Sequence, residues 1–143
     1  MSFRGLPATY IPLRNAVFYS LAASVAEETG AAYIIGGHNR DDLRVFPDTG
    51  PAFFGSLEAA LRAGSGALKE RRLRILRPLE ALTKPEVIGL ASSLGVPLGA
   101  TWSCHLDGRK HCWRCAGCLS RVAAFAKAGV ADPLVVSRTG KVS

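Results

Sequence analysis

The feature that most constrains this chain is its cysteine spacing. All its cysteines lie in the stretch WSCHLDGRKHCWRCAGC, residues 102–118, at positions Cys104, Cys112, Cys115 and Cys118. Two-residue gaps let successive sulfurs turn toward one ion, and the loop that contains Gly108 lets the chain bring Cys104 back as a fourth ligand. The spacing predicts a tetrahedral structural zinc site with no coordination position left open for catalysis.

Other interpretations of the four thiols stay open. Cys-x-x-Cys-x-x-Cys also begins a ferredoxin-type iron–sulfur run, although the fourth cysteine and proline that complete such a run are absent. His105 or His111 could replace one cysteine as a ligand, and the thiols could be buried without any ligand. Disulfides fit poorly, because thiols are kept reduced in the cytoplasm, where we expect this protein to be.

Composition favours a folded, basic protein. The chain has 143 residues, is 48% hydrophobic and carries a formal net charge of +7, which would attract phosphate-bearing partners. Its densest basic run is KERRLR, residues 69–74, which suits a solvated surface as well as a binding patch. No secretory leader and no run long enough to cross a membrane are recognisable, so we expect a soluble, cytoplasmic protein.

Hydrophobic patterning predicts alternating helices and strands. Helices are expected over residues 14–30, with Val17, Leu21 and Val25 at helical spacing, and over residues 50–66. Buried strands are expected in AAYIIGG and RLRILRPL, residues 31–37 and 72–79. This order indicates an open parallel sheet with helices packed on it. Two or three strands are few for a parallel sheet, which is normally buried on both faces. We therefore expect either that another chain supplies further strands or that the protein is part of something larger.

Three further elements are expected in the second half. A helix over residues 82–97 has Thr83 as its N-cap and a capping box from Thr83 to Glu86. A second helix runs from Leu119 to Ala128, and we expect it to pack through Leu119, Val122, Ala123 and Phe125. PLVVS, residues 133–137, is a candidate third strand.

Four stretches together resemble a known family. TYIPLRN, GGHNRDDLRVFPD, PLEALTKPE, and TWSC followed by CWRCAGC resemble, in that order, the C-terminal half of 7-cyano-7-deazaguanine synthase. The resemblance extends nearly to Gly129. It implies a partial Rossmann-like parallel sheet of the adenine nucleotide alpha hydrolase (PP-loop) type, an α/β fold. The chain, residues 1–143, would be a single domain, the C-terminal portion of that synthase, with residues 102–118 as its zinc-binding segment.

The resemblance also implies an activity. Members of that family use ATP, with Mg²⁺, to convert 7-carboxy-7-deazaguanine and ammonia to the nitrile, for queuosine or archaeosine in tRNA. By resemblance, the residues expected to contact the nucleotide or the deazaguanine are Arg14, Asn15, Asn39, Asp42 and Asp48. Open sheets bind ligands at the C-terminal ends of strands, and the last three follow the first strand. Alternatively, Arg14 is a surface residue at a helix start, Asp48 begins a turn, and Asp41 replaces Asp42.

One family motif has no counterpart here. The phosphate-cradling Ser-Gly-Gly-x-Asp-Ser is absent from the 143 residues, so we do not expect the chain alone to activate a carboxylate with ATP. The expected explanations are a split synthase whose ATP-binding half is a separate chain, a truncated product, or a non-catalytic zinc-stabilised module that binds tRNA or a partner. A homodimer is also possible. The sequence shows no aromatic–basic stacking pattern in support of RNA binding.

Overall fold

The computed structural model describes Leu6 and residues 9–135. The chain forms two compact units, unit 1 over residues 1–82 and unit 2 over residues 83–143. The elements of unit 1 are α1 (Arg14–Thr29), β1 (Tyr33–Ile35), α2 (Arg40–Leu43), a 3₁₀ turn (Pro47–Thr49), α3 (Pro51–Gly64), α4 (Gly66–Glu70) and β2 (Arg74–Leu76). Those of unit 2 are α5 (Lys84–Ser93), a 3₁₀ turn (Leu98–Ala100) and α6 (Ala116–Ala128).

The sheet of unit 1 is parallel, as the order of elements predicted. β1 pairs with β2, and Ile34 lies opposite Ile75. The α/β class is therefore confirmed. Between residues 9 and 135 the sheet has only these two strands, so its extension into a Rossmann-like sheet stays a prediction.

The core of unit 1 lies on one face of that sheet. Tyr19 of α1 and Phe54 of α3 pack against Ile75, with the half-buried Ile34 beside them. A neighbouring cluster of Ala23, Ala26, Leu68 and Leu73 joins α1 to α4 and to the residue that precedes β2. Helices α1 and α3 thus cover the same side of the sheet.

The outward face of α1 corrects one expectation. Val17, Leu21 and Val25 have the predicted helical spacing, but they are 55%, 62% and 57% exposed. The buried side of α1 carries Asn15, Tyr19, Ala23 and Ala26 instead. Two alanines let the helix approach the core closely, so the smaller side chains are the ones that this packing selects.

Unit 2 is built on the pair α5 and α6. Helix α5 begins at the predicted N-cap, where the Thr83 N–H donates to Glu86 Oε2 at 2.6 Å in a capping box. Ile88 of α5 packs against Ala124 and Phe125 of α6.

Helix α6 differs from its prediction at its start and along its buried face. It begins at Ala116, three residues before the predicted Leu119. Of the four side chains expected to pack, Phe125 is buried, whereas Leu119, Val122 and Ala123 are exposed. The buried face instead consists of Cys118, Arg121, Ala124 and Phe125. The prediction treated apolar character as burial and missed a buried arginine.

A buried ion pair anchors the segment after α6. The Arg121 guanidinium donates to both carboxylate oxygens of Asp132, at 2.6 and 2.8 Å. It also donates to Thr101 Oγ1 at 2.6 Å and to the Leu98 carbonyl at 3.1 Å. Burial alone would raise the pKa of Asp132, but the hydrogen bonds and charge of Arg121 lower it overall.

The segment predicted as a third strand is only partly described. Pro133–Val135 forms a single helical turn, so this part of the strand prediction is wrong; residues 136 and 137 lie outside the described residues. Within the described part of the chain, none of the helices combines the length and the apolar character that a membrane span requires.

Asp132→Asn should destabilise unit 2 by about 3 kcal/mol, because it leaves the charge of Arg121 buried without its partner. The pKa of Asp132 is lowered from 3.8, so folding favours its charged form and this contribution is present above pH 4 and lost as the pH falls below it. Urea unfolding, followed by the fluorescence of Trp102 and Trp113 at pH 7 and pH 3, measures both effects.

Asp107→Asn is the matched control, because Asp107 is an exposed aspartate of the same unit. It should change the free energy of unfolding by less than about 0.5 kcal/mol. Equal effects of the two substitutions would show that the buried pair contributes nothing specific.

Candidate functional site

The four cysteines of unit 2 converge as their spacing predicted. Their sulfur atoms all lie within 4.8 Å of one another, and all four thiols are free of disulfides. Cys112 Sγ is 3.9 Å from Cys118 Sγ, and Cys115 Sγ is 4.0 Å from Cys104 Sγ. This cluster could hold a metal ion.

Backbone N–H groups surround the sulfurs. The N–H of His105 lies 3.4 Å from Cys115 Sγ, and that of Cys118 lies 3.5 Å from the same atom. These bonds lower the pKa of Cys115 to about 6, with the His105 N–H as the largest cause. The N–H of Arg114, 3.5 Å from Cys112 Sγ, is the main cause that lowers the pKa of Cys112. Both positions therefore favour thiolate.

Cys118 has the opposite environment. It is fully buried at the start of α6, and burial raises the pKa of its thiol to about 12. Next to it, α6 approaches the chain so closely that a Cβ on Gly117 would lie 2.0 Å from the Ser103 carbonyl oxygen. A small residue is therefore required where the helix meets the cysteine segment.

Aromatic rings line a cavity beside the cysteine cluster. The buried His111 ring lies 4.4 Å from the Trp102 ring and 5.3 Å from the Trp113 ring, and its Nε2 accepts the Ser103 N–H at 3.0 Å. The cavity, of about 700 Å³, is also lined by the exposed Arg109 and Lys110. The sequence prediction missed this aromatic–basic group, because the two tryptophans lie eleven positions apart and only the fold brings them together.

In unit 1, two of the predicted substrate residues form a capping box. The Asn39 side chain accepts the N–H groups of Asp41 and Asp42 at 2.9 and 3.3 Å. The Asn39 N–H donates to Asp42 Oδ2 at 3.1 Å. These residues fix the start of α2, directly after β1. Their role in substrate binding stays a prediction.

Asn15 and Asp48 form a second, buried pair. The Asn15 backbone N–H donates to Asp48 Oδ2 at 3.3 Å, and the Asn15 side-chain amide donates to the Asp48 carbonyl at 3.0 Å. The pair ties the first turn of α1 to the loop before α3. It brings together two of the predicted residues that lie 33 positions apart in sequence.

His38 and Arg77 lie near the predicted substrate residues, although the sequence prediction did not include them. The His38 ring packs on Tyr19 and Phe54. Burial is the main cause that lowers its pKa, and the nearby charges of Asp42, Asp48, Arg77 and Arg14 act in both directions. Four charged side chains thus lie around one imidazole whose burial favours its neutral form. His38 lies in GGHNRDD, one of the stretches that resemble the family, so the sequence did contain a signal for this residue.

Arg77 follows β2, and two contacts within unit 1 fix the position of its side chain. Its Nε donates to Glu80 Oε2 at 2.7 Å, and its guanidinium lies over the Phe54 ring at 4.8 Å. Polar side chains therefore gather at the C-terminal ends of both strands of unit 1. Arg14, Asp42 and Asp48 lie near His38 there, and we call residues 36–48 the polar loop. This is the position at which open parallel sheets bind ligands.

Comparison with known proteins identifies the family. Residues 1–129 match the family described as queuosine biosynthesis protein QueC. The chain belongs to this family. The matched residues include both the polar loop of unit 1 and all four cysteines of unit 2.

Curated relatives in this family are named 7-cyano-7-deazaguanine synthase. The protein of Thermoplasma acidophilum is 41% identical over 129 residues, which is 90% of this chain and 54% of the relative. That of Cyanothece sp. is 39% identical over 90% of this chain and 59% of the relative, and that of Nitratiruptor sp. is 38% identical over 94% and 60%. The chain therefore spans little more than half the length of the QueC relatives it matches.

Proposed function

We propose that this chain serves as the substrate-loop and metal-binding portion of a 7-cyano-7-deazaguanine synthase. The reaction would be the ATP-dependent conversion of 7-carboxy-7-deazaguanine and ammonia to the nitrile, for queuosine or archaeosine in tRNA. The family match over residues 1–129 carries this proposal. Small-molecule substrates and a cytoplasmic location follow from the same proposal.

The proposed reaction explains why polar residues gather at the strand ends. A carboxylate is a poor electrophile until ATP activates it, with loss of pyrophosphate; ammonia then displaces AMP to give the amide. A second ATP would then activate the amide oxygen with loss of pyrophosphate, and departure of AMP with that oxygen, together with loss of the two amide N–H protons, would give the nitrile. Arg14 would balance phosphate charge, while Asp42 and Asp48 would accept hydrogen bonds from the deazaguanine ring or coordinate Mg²⁺. Asn15 and Asn39 would hold those carboxylates in place.

The phosphate cradle would come from elsewhere in the complete enzyme. The 143 residues contain no Ser-Gly-Gly-x-Asp-Ser stretch, and the relatives are nearly twice as long as the part matched here. We infer that the ATP-binding portion is supplied by another segment, on this polypeptide or on a separate chain. A homodimer of the completed enzyme is compatible with this inference.

We infer further that the metal is zinc. Four sulfurs at tetrahedral corners, each about 2.3 Å from one zinc ion, lie about 3.8 Å from each other. Two of the separations in the cluster are 3.9 and 4.0 Å, and all of them lie within 4.8 Å. Four protein ligands leave no position for water or substrate, so this zinc would stabilise the fold of unit 2 and take no part in the chemistry.

The purified chain should contain one zinc ion, and Cys115→Ser or a chelator should unfold unit 2, because thiolate binding energy is also folding energy. Zinc uptake should release protons and weaken as the pH falls, since the Cys118 thiol, with its pKa raised to about 12, must ionise. Metal analysis and amide hydrogen exchange of residues 83–135 measure these effects.

His105→Ala is the control for this substitution. It removes an exposed imidazole but keeps the backbone N–H that bonds Cys115, so zinc content should stay at one. Visible absorption from iron and sulfide, or unchanged exchange protection after zinc removal, would contradict the proposal.

ATP-dependent activity should appear only when the ATP-binding portion is present. The zinc-loaded chain, given ATP, Mg²⁺, ammonium and 7-carboxy-7-deazaguanine, should yield no nitrile alone and should yield nitrile with pyrophosphate when that portion of a relative is added. Asp48→Asn should then lower the rate at least about 100-fold if Asp48 contacts substrate or Mg²⁺.

Two results would contradict the proposed function. Nitrile formation by the chain alone would show that it contains its own phosphate cradle. No nitrile from a complex that binds ATP would show that the chain serves a different reaction or none. Asp107→Asn, in an exposed loop of unit 2, is the control substitution.

The aromatic cavity of unit 2 favours a second candidate function, binding of tRNA by the zinc-stabilised module. Trp102 is 53% exposed and offers a face for base stacking, while Arg109 and Lys110 on the same cavity would neutralise phosphates. The net charge of +7 acts in the same direction.

Trp102→Ala should weaken tRNA binding about tenfold or more, since base–aromatic stacking contributes about 1–3 kcal/mol per base. Binding by the wild-type chain should fall steeply with salt and should not depend on ATP. Fluorescence anisotropy with labelled tRNA at two salt concentrations measures both properties. Phe18→Ala, in unit 1, replaces a 60% exposed aromatic side chain and should leave the affinity unchanged. Equal weakening by both substitutions would contradict stacking in this cavity.

A further inference from the structure

A buried tyrosine of unit 1 has a hydroxyl group that the fold does not use. Tyr19 of α1 is only 8% exposed, and its ring packs edge-on against Phe54 with 4.9 Å between the ring centroids. Among the residues that the structure describes, none forms a hydrogen bond with this hydroxyl. Every fully enclosed side-chain nitrogen or oxygen there has a partner, so the Tyr19 hydroxyl is open to solvent. A nearly buried hydroxyl without a protein partner is available to a ligand.

The hydroxyl of Tyr19 lies at the start of the polar loop. A Cβ placed on Gly36, the residue after β1, would lie 1.8 Å from the Tyr19 hydroxyl oxygen and 3.2 Å from Cδ2 of His38. The phenol and the imidazole edge therefore flank one backbone position, and the missing side chain of Gly36 gives the hydroxyl its space. Tyr19 thus brings a polar group from α1 to the C-terminal end of β1, where open parallel sheets bind ligands.

The ring of Phe54 fixes the polar groups around this position. It is fully buried and contacts Tyr19, the His38 ring at 5.1 Å between centroids, and the Arg77 guanidinium at 4.8 Å from the ring centre. These three side chains come from α1, from the polar loop and from the residue after β2. Ring contacts orient the phenol and the imidazole without using their hydrogen-bonding atoms. We call Tyr19 and His38 the Tyr–His pair.

Burial favours the uncharged form of both members of the pair. It is the main cause that raises the pKa of Tyr19 and the main cause that lowers the pKa of His38. The charge of Arg77 acts on both groups and lowers both pKa values. An uncharged phenol and an uncharged imidazole each offer a donor and an acceptor, whereas arginine offers donors only. The pair can therefore bond to a ligand atom of either kind, with a positive charge beside it.

The proposed reaction needs a partner of that kind. Its first half begins with a carboxylate, whose two oxygens only accept hydrogen bonds. Its second half begins with a primary amide, in which an NH₂ group that donates has replaced one of the oxygens. A site built from arginine or lysine alone would suit the carboxylate and would leave the amide NH₂ without an acceptor. The Tyr–His pair suits both.

We propose that Tyr19 and His38 bind the substituent at C7 of the deazaguanine through both halves of the reaction. The phenol O–H and the imidazole N–H donate to the carboxylate, and Arg77 balances its negative charge. In the amide, the phenol oxygen and the unprotonated ring nitrogen accept the N–H groups instead. This inference rests on the proposed function for the identity of the ligand, whereas the arrangement of the three side chains rests on the geometry of unit 1.

Tyr19→Phe tests the hydroxyl, because it keeps the ring that packs against Phe54. It should raise the Kd for 7-carboxy-7-deazaguanine at least about tenfold, since a hydrogen bond to a charged group is lost. The Kd for 7-deazaguanine, which has no substituent at C7, should change less than about twofold. Isothermal titration calorimetry on the zinc-loaded chain, combined with the ATP-binding portion of a relative, measures both values. Damage to the fold would weaken both ligands equally, so the comparison separates it from a lost hydrogen bond.

Tyr33→Phe is the matched control. Tyr33 lies in β1 and is 62% exposed, so removal of its hydroxyl should leave both Kd values unchanged. His38→Phe is a second test of the pair, because it keeps an aromatic ring beside Phe54 and removes both ring nitrogens. It should also weaken 7-carboxy-7-deazaguanine and leave 7-deazaguanine unaffected.

The second half of the reaction is tested with the 7-carboxamide of deazaguanine as substrate. Tyr19→Phe should lower kcat/KM for nitrile formation from this amide at least about tenfold, and the KM for ATP should stay unchanged. A role in packing alone would not distinguish the amide from ATP.

Four results would overturn the inference: an unchanged Kd for 7-carboxy-7-deazaguanine in Tyr19→Phe; equal weakening of 7-deazaguanine; weaker binding of ATP in place of the carboxylate, which would assign the pair to phosphate; or an unchanged rate from the amide. The proposed function fails separately. Carboxylate binding that depends on Tyr19, without any nitrile, would refute the activity and leave this binding site standing. Nitrile formation that is unaffected by Tyr19→Phe would refute the site and leave the activity standing, and no binding of either deazaguanine would refute both.

Discussion

Parallel strands need partners at their edges and cover on both faces, and this constraint governs unit 1. The β1–β2 pair satisfies it on one side only, through α1, α3 and Glu58, which accepts the Ile75 N–H at the outer edge of β2. Side chains of unit 1 therefore cover one face of this strand pair and one of its edges.

Unit 2 has a small hydrophobic core and is stabilised in a different way. Two short helices bury few apolar side chains: Ile88, Ala124 and Phe125 form its one hydrophobic cluster among the described residues. Such a small core contributes little to the free energy of folding, so unit 2 depends on polar interactions as well. The Arg121–Asp132 pair ties α6 to the chain on either side of it, and the four sulfurs converge at the first turn of α6, where they could hold a metal ion. The backbone N–H groups that lower the pKa of Cys115 to about 6 favour its thiolate, which is the form that binds a metal ion.

The sequence was most informative where local chemistry decides the structure. The capping box of α5, the proline at the start of α3, the short apolar strands and the cysteine cluster all follow from residues close together in the chain. It was least informative about which helix face is buried. Leu21 and Leu119 are apolar and exposed, while Asn15 and Arg121 are polar and buried, because tertiary contacts that sequence patterns do not contain set these environments. Among residues 133–135 the helical turn is set by Asp132, whose ion pair lies outside any local pattern.

The same distinction applies to the polar loop. Asn39 and Asp42 are predicted to bind ligand, and the structure shows that they begin a helix. These roles are compatible, because a capping box uses one oxygen of each side chain and fixes the direction of the rest. Arg77 is occupied by Glu80 and by the Phe54 ring. The two carboxylates and the two guanidiniums around His38 have opposite charges that cancel. A phosphate-bearing ligand would add negative charge to this group of side chains, so further cations or amide donors would have to accompany it.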